Sequence, residues 1–173
     1  MDIQIFGNET LRIKSKKTTL AVDPKSTVSK FDADATVVMD KNSDPSRVNN
    51  SRVVLEGAGE FEISGLKISG IDSDNGIMYG LTFENTSILV AKASSLEKIS
   101  VDKLGEFQIA VINVDSNLNQ SVVTAMEPRV VILYGEKKKE GAKILGKENV
   151  SSLAKITVSE DKLPEELDIM LLG

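Results

Sequence analysis

The sequence predicts an α+β fold in which two β-sheets pack face to face with helices outside. Three observations lead there. The first half is a run of short alternating segments bounded by turn residues, the pattern of antiparallel strands. The second half alternates apolar strands with helix-spaced segments. Apolar residues make up 40% of 173 positions, enough for one sizeable core, and composition is even from end to end, so one domain over residues 1–173 is expected.

The elements follow in order. Ile3 and Ile5 alternate with Asp2 and Gln4 before the Gly7-Asn8 turn; Leu11 and Ile13 alternate with Arg12 and Lys14. Thr19–Val22 forms a third strand, stopped at Asp23-Pro24 because proline cannot donate to a ladder. Asp34–Met39 suits a buried strand and runs into the polar loop Asp40–Pro45. After a short strand at Val53–Leu55 and a Gly57-Ala58-Gly59 break, Phe61–Ile63 and Leu66–Ile71 read as a hairpin. Ile77–Phe83 and Ser87–Ala91 read as a second hairpin. Ser94 with Glu97 resembles a helix start, and Leu96, Ile99 and Leu104 could form its apolar stripe. Phe107–Ile112, a helix over 117–127 stopped by Glu127-Pro128, Arg129–Tyr134, a helix over 137–146, Ile156–Val158 and Leu167–Leu172 complete the chain. The opening Met1, Ile3 and Ile5 strand and the closing apolar strand are candidate edges for pairing with a second copy, so a homo-oligomer is one expectation.

Composition excludes more chemistry than it suggests. There is no histidine and no cysteine. That removes the usual general base and metal ligand near neutral pH, and the usual thiolate nucleophile. A site of carboxylates for a hard cation remains open. The net charge of −5 and the absence of tryptophan argue against nucleic acid as a partner. The cluster Lys137-Lys138-Lys139 with Lys143 nearby reads as a solvated surface between Glu136 and Glu140. No apolar run reaches the ~20 residues of a membrane span, and Met1-Asp2-Ile3-Gln4 lacks the features of a signal peptide. Both point to the cytoplasm.

Several motifs then line up. Ile3-Gln4-Ile5-Phe6, Gly7-Asn8-Glu9, Leu11-Arg12-Ile13 and Leu20-Ala21-Val22-Asp23-Pro24 follow one another, then Ala33–Val38, then Gly59-Glu60-Phe61-Glu62-Ile63-Ser64-Gly65-Leu66-Lys67-Ile68-Ser69-Gly70-Ile71. In this order the chain resembles the metallo-β-lactamase fold superfamily, in particular the compact branch similar to the bacterial L-ascorbate-6-phosphate lactonase. The Gly59–Ile71 stretch is the most specific match. The resemblance covers essentially the whole chain and implies a four-layer αββα sandwich in minimal form.

It also implies a metal site from which the ligands have gone. The histidines of the family's Thr-His-x-His-x-Asp-His motif fall on Asp40, Asn42 and Pro45, and its aspartate is kept as Asp44. A later histidine falls near Asp72 or Ser73, the metal-bridging aspartate falls at Lys92, and the last histidine falls on Tyr134 or Gly135. Zinc in such a site needs imidazole nitrogens and carboxylates, and its bound water is the nucleophile. Pro45 offers no side-chain ligand. An inward-pointing Lys92 would place a cation where a metal would sit, paired with Asp40 or Asp44.

The resulting expectation is a catalytically inactive binding or assembly module with no catalytic residues, no cofactor and no metal. Its partner would be an unidentified protein or a second copy, and no membrane. The alternative is a hydrolase with a hard divalent cation at Asp40, Asp44 and Asp72, joined by Asn42. Ser43, Ser94 and Ser95 are possible nucleophiles only if Lys92 or a carboxylate activates them; a turn or helix cap is the simpler reading. Gly57-Ala58-Gly59-Glu60 lacks the Lys-Ser/Thr of a phosphate loop and precedes a strand, so it reads as a turn.

Overall fold

The computed structural model describes residues 1–173, the side chain of Glu160 apart. The strands are β1 (Asp2–Phe6), β2 (Thr10–Lys14), β3 (Thr19–Val22), β4 (Phe31–Asp32), β5 (Ala35–Val37), β6 (Val48–Asn49), β7 (Val54–Leu55) and β8 (Gly59–Ile63). They continue as β9 (Leu66–Ser73), β10 (Gly76–Phe83), β11 (Thr86–Lys92), β12 (Ile109–Asn113), β13 (Val130–Tyr134), β14 (Ser152–Leu153), β15 (Lys155–Thr157) and β16 (Asp168–Leu172). Three short helices intervene: α1 (Ala93–Leu96), α2 (Gln120–Ala125) and α3 (Lys138–Ile144).

Two sheets enclose the main core. One runs β15-β1-β2-β3-β5-β7 and the other β14-β16-β13-β12-β11-β10-β9-β8. Alternation decides which residues enter the space between them. On β1 the burial pattern puts Ile3 and Ile5 inward with polar neighbours outward. β12 and β13 are buried at every position, because the second face of their sheet is also covered. Ile109, Val111, Val130 and Ile132 fill the inter-sheet core, while Ala110, Ile112, Val131 and Leu133 meet a second core under the helices. Leu96, Val122, Val123 and Ala142 bring α1, α2 and α3 onto that outer face. The outer face of the other sheet is capped by a small cluster of Ala21, Phe31, Ala33 and Val48, with β4 and β6 paired above it. The fold is thus the expected α+β sandwich, its second outer layer reduced to this patch.

Some expectations need correction. The segment after Ser94 is not one helix. α1 stops at Leu96 and a short 3-10 turn follows at Val101–Lys103. Leu96, Ile99 and Leu104 are nonetheless all buried together. The helix expected over 117–127 shrinks to α2, because Asn119 caps it through Val122 N. The one expected over 137–146 shrinks to α3; Gly146, at φ +84°, turns the chain. The opening and closing strands are not edges. β1 lies between β15 and β2, and β16 between β14 and β13. The free edges are β15, β7, β14 and β8 instead. Among the described residues no helix is long and apolar enough to cross a membrane.

The Gly57-Ala58-Gly59 break passes directly over β9. A Cβ on Gly70 would lie 2.3 Å from the Gly57 carbonyl oxygen, so only glycine fits there. Gly70→Ala is expected to destabilise by about 1–3 kcal/mol through overpacking against backbone. In a thermal melt this reads as a fall of several degrees. Gly57→Ala, where a Cβ meets nothing within 4 Å, serves as the near-neutral control.

Candidate functional site

Three parallel strands finish at the same edge of the larger sheet. β11, β12 and β13 are in register, Lys92 beside Asn113 and Asn113 beside Tyr134. Each of these residues continues the inward-facing series of its strand: Ile88 and Val90, then Lys92; Ile109 and Val111, then Asn113; Val130 and Ile132, then Tyr134. An ammonium, an amide and a phenol therefore form one row where the apolar core ends. Carboxyl ends of parallel strands are where open α/β sheets place ligands.

The facing sheet supplies the charges. β3 ends at Val22, and Asp23 follows in a left-handed backbone conformation (φ +46°) with its side chain buried. Its Oδ1 accepts hydrogen bonds from Met39 N (2.7 Å), Asp40 N (3.0 Å) and Ser43 Oγ (3.0 Å). Its Oδ2 is buried without a partner among the described residues. Burial pushes the Asp23 carboxyl above its ordinary value in spite of those three donors.

Asp23 in this way fixes the loop that carries Asp40. Asp40 Oδ1 accepts from Asn42 N at 2.9 Å. Asp40 Oδ2 lies 2.9 Å from Lys25 Nζ and 3.5 Å from Lys92 Nζ. Lys25 also meets Glu9 (3.3 Å), and Lys92 also meets Asp115 (3.5 Å). The result is one line of alternating charge: Glu9, Lys25, Asp40, Lys92, Asp115. Burial alone would raise the Asp40 carboxyl, but the Asn42 N–H and the two ammonium groups outweigh it and hold it at about 2. Lys25 is pushed up by Asp40 and Glu9 against its own desolvation. Asp115 in turn accepts from Ser94 N (2.9 Å) and Ser94 Oγ (2.7 Å).

The two tyrosines, Tyr79 and Tyr134, are buried in the inter-sheet core. Tyr134 is fully buried and its hydroxyl has no partner among the described residues; Tyr79 donates to the Leu55 carbonyl at 2.8 Å. Burial, then the charge of Asp23, raises both phenols, so neither ionises near neutral pH.

Of the residues singled out from sequence, Asp40, Lys92 and Tyr134 stand at this rim. The contact expected between Lys92 and an aspartate is present, with Asp40. Asp44 is turned to other work: its Oδ1 accepts from Ser46 N and Ser46 Oγ, its Oδ2 pairs with Arg47, and it caps the 3-10 turn that Pro45 opens. Asn42 is exposed and touches Asp40 through its backbone. Asp72 is exposed on β9. Ser43 donates to Asp23 and Ser94 to Asp115. β11 ends at Lys92, so Lys92 and Ser94 do not share a strand face; Ser94 belongs to α1. Lys25, Asn113 and Asp115 belong to no motif read from the sequence, whereas Glu9 and Asp23 lie in the turn and strand motifs that carry the resemblance, with no site role attached to them. The available signal is position: Asp23 and Lys25 follow β3, Asn113 ends β12 with Asp115 two residues beyond it, and Lys92 ends β11.

The donors present do not fit the zinc centre that the resemblance implies. There is no imidazole or thiolate, and the rim carboxylate of Asp40 has one oxygen between two ammonium groups. Among the described residues, no three carboxylates are grouped as ligands would be.

No family model matches the chain and no curated protein matches its sequence. Solved structures do match. A candidate Zn-dependent hydrolase of the metallo-β-lactamase superfamily from Thermotoga maritima superposes with a TM-score of 0.78 at 17% identity, covering 99% of this chain and 98% of that one. The isothiocyanate hydrolase from Delia radicum gut bacteria gives 0.61 at 11%, covering 92% and 100%. The metallo-β-lactamase fold protein YhfI from Bacillus subtilis gives 0.60 at 8%, covering 99% and 96%. At these identities the likeness is one of fold.

Asp40 has a depressed carboxyl, so its contribution to stability is present above the unfolded value near 3.9 and is lost as pH falls toward 2. At pH 7, Asp40→Asn should cost about 1–2 kcal/mol, discounted for partial exposure. The gap between wild type and variant should close between pH 4 and about 2, measured as urea midpoints across pH.

Proposed function

Starting from the metallo-β-lactamase fold of this chain, we propose that it is a non-catalytic binding or assembly module in which lysine ammonium groups do the electrostatic work of the fold's metal ions. The observation that carries this reading is Lys92, whose Nζ lies 3.5 Å from both Asp40 and Asp115. With Lys25, it neutralises the rim from within. Two further features support it. The buried phenols of Tyr134 at the rim and Tyr79 in the core are held neutral, and the serines near the rim donate to carboxylates without a histidine to activate them. The partner would be another protein or a second copy. The free edges β7 and β8, which leave Val54 and Phe61 exposed, offer such a partner a surface.

The hydrolase names of two structural neighbours favour the other reading, a divalent cation at Asp40, Asp44 and Asp72. Metal analysis separates the two. Protein equilibrated with Zn2+ and Mn2+ and then desalted should carry no stoichiometric metal. Lys92→Asp removes a cation and adds a carboxylate beside Asp40, so it should raise Mn2+ affinity by at least about tenfold, read by calorimetry. One metal per wild-type chain, lost in Asp44→Ala, would overturn the proposal in favour of the hydrolase.

A further inference from the structure

We propose that the groove between α3 and β16 binds a small phosphate monoester. It lies on the outer, helix-covered face of the sheet, opposite the inward face that carries the rim side chains, and does not depend on the reading above. Lys139 and Lys143 stand four residues apart on α3 and so share a face. Gly146 then turns the chain, and Lys147 N donates to the Ala142 carbonyl, which returns a third lysine to the same place. The three lysines surround a cavity of about 250 Å³ floored by Ala142, Val150 and Leu171.

Charge selects the ligand. The chain as a whole is acidic at −5, yet residues 137–147 hold five lysines and one glutamate. Lys147 is neutralised by Asp168 on β16, and Lys138 is diverted to the Leu172 carbonyl. Lys139 and Lys143 form no ion pair within 4 Å among the described residues, although Glu136, Glu140 and Glu148 are close in sequence. Like charges at this spacing destabilise a helix by about 0.2–0.5 kcal/mol, a cost that a bound anion relieves. A phosphate monoester, near −2 at pH 7, balances both free ammonium groups; a carboxylate balances one. Lysine serves phosphate as a point charge. At roughly 30 Å³ per water, the cavity holds about eight waters' volume, enough for a phosphate and a short body lying on the apolar floor. A polymer such as nucleic acid would meet the negative remainder of the surface.

The test is amide NMR of the full chain titrated with phenyl phosphate, with inorganic phosphate, benzoate and a phosphoserine tripeptide as comparators. Phenyl phosphate should give saturable shifts at Lys139, Lys143, Lys147 and Leu171. Its affinity should fall at least about tenfold in Lys139→Glu/Lys143→Glu and in Lys139→Gln/Lys143→Gln, the second pair guarding against a folding defect. Affinity should also fall below about pH 6, where the monoester loses its second charge. Tighter binding of the tripeptide would uphold the site and assign its phosphate to a protein; tighter binding of phenyl phosphate would uphold it for a free ester. Absence of saturation by about 10 mM, equal affinity for benzoate, or unchanged affinity in both variant pairs would overturn the proposal.

Discussion

A carboxylate at the rim of an apolar core persists as an anion only where cations or hydrogen-bond donors replace the water it has lost. Removing an ion from water costs several kcal/mol, and that cost must be met locally. Asp40 is met twice, by Lys25 and by Lys92, and each lysine is shared with a second carboxylate, Glu9 or Asp115. Two ammonium groups balance most of three carboxylates in one line. The surrounding structure serves this arrangement: the loop after β5 must present Asp40, β11 must end at Lys92, and β12 must lead into Asp115.

Asp23 sets the first of these conditions. It is buried, in a backbone conformation that few non-glycine residues adopt, and three donors of the 39–43 loop converge on one of its oxygens. Such an arrangement survives only when its surroundings impose it. The parallel register of β11, β12 and β13 sets the others, since it brings three strand ends level. Behind that row Gly135 is required. At φ +89° a Cβ there would fall 2.2 Å from Asn113 Oδ1. The rim is thus built from backbone geometry first and charge second, the order in which a fold can keep a site's shape while its chemistry changes.

Most of the strand content was legible because period-2 alternation is a local signal. Ile3 and Ile5, or Leu11 and Ile13, announce their faces without help. β12 and β13 were legible for the opposite reason: both faces are buried, so the run is continuously apolar. What failed depended on partners distant in sequence. β1 and β16 looked like edges because nothing local records that β15 and β14 close over them. β4, β6 and β14 are two residues each, too short to show a period. At the site, Asp40 and Lys92 could be placed by motif order, but their contact spans 52 positions of chain and is set by sheet packing. Lys25 and Asp115 sit in no recognised motif, and Asp44, kept from the motif, is spent on a local turn with Ser46 and Arg47.

The proposed replacement of metal by ammonium is most directly tested by a crystal structure of protein grown with Zn2+ and Mn2+, using anomalous scattering at both edges. The expected map places Lys92 Nζ between Asp40 and Asp115 and shows no anomalous peak at the rim. A peak within about 2.0–2.2 Å of an Asp40 oxygen, with Lys92 displaced, would contradict it.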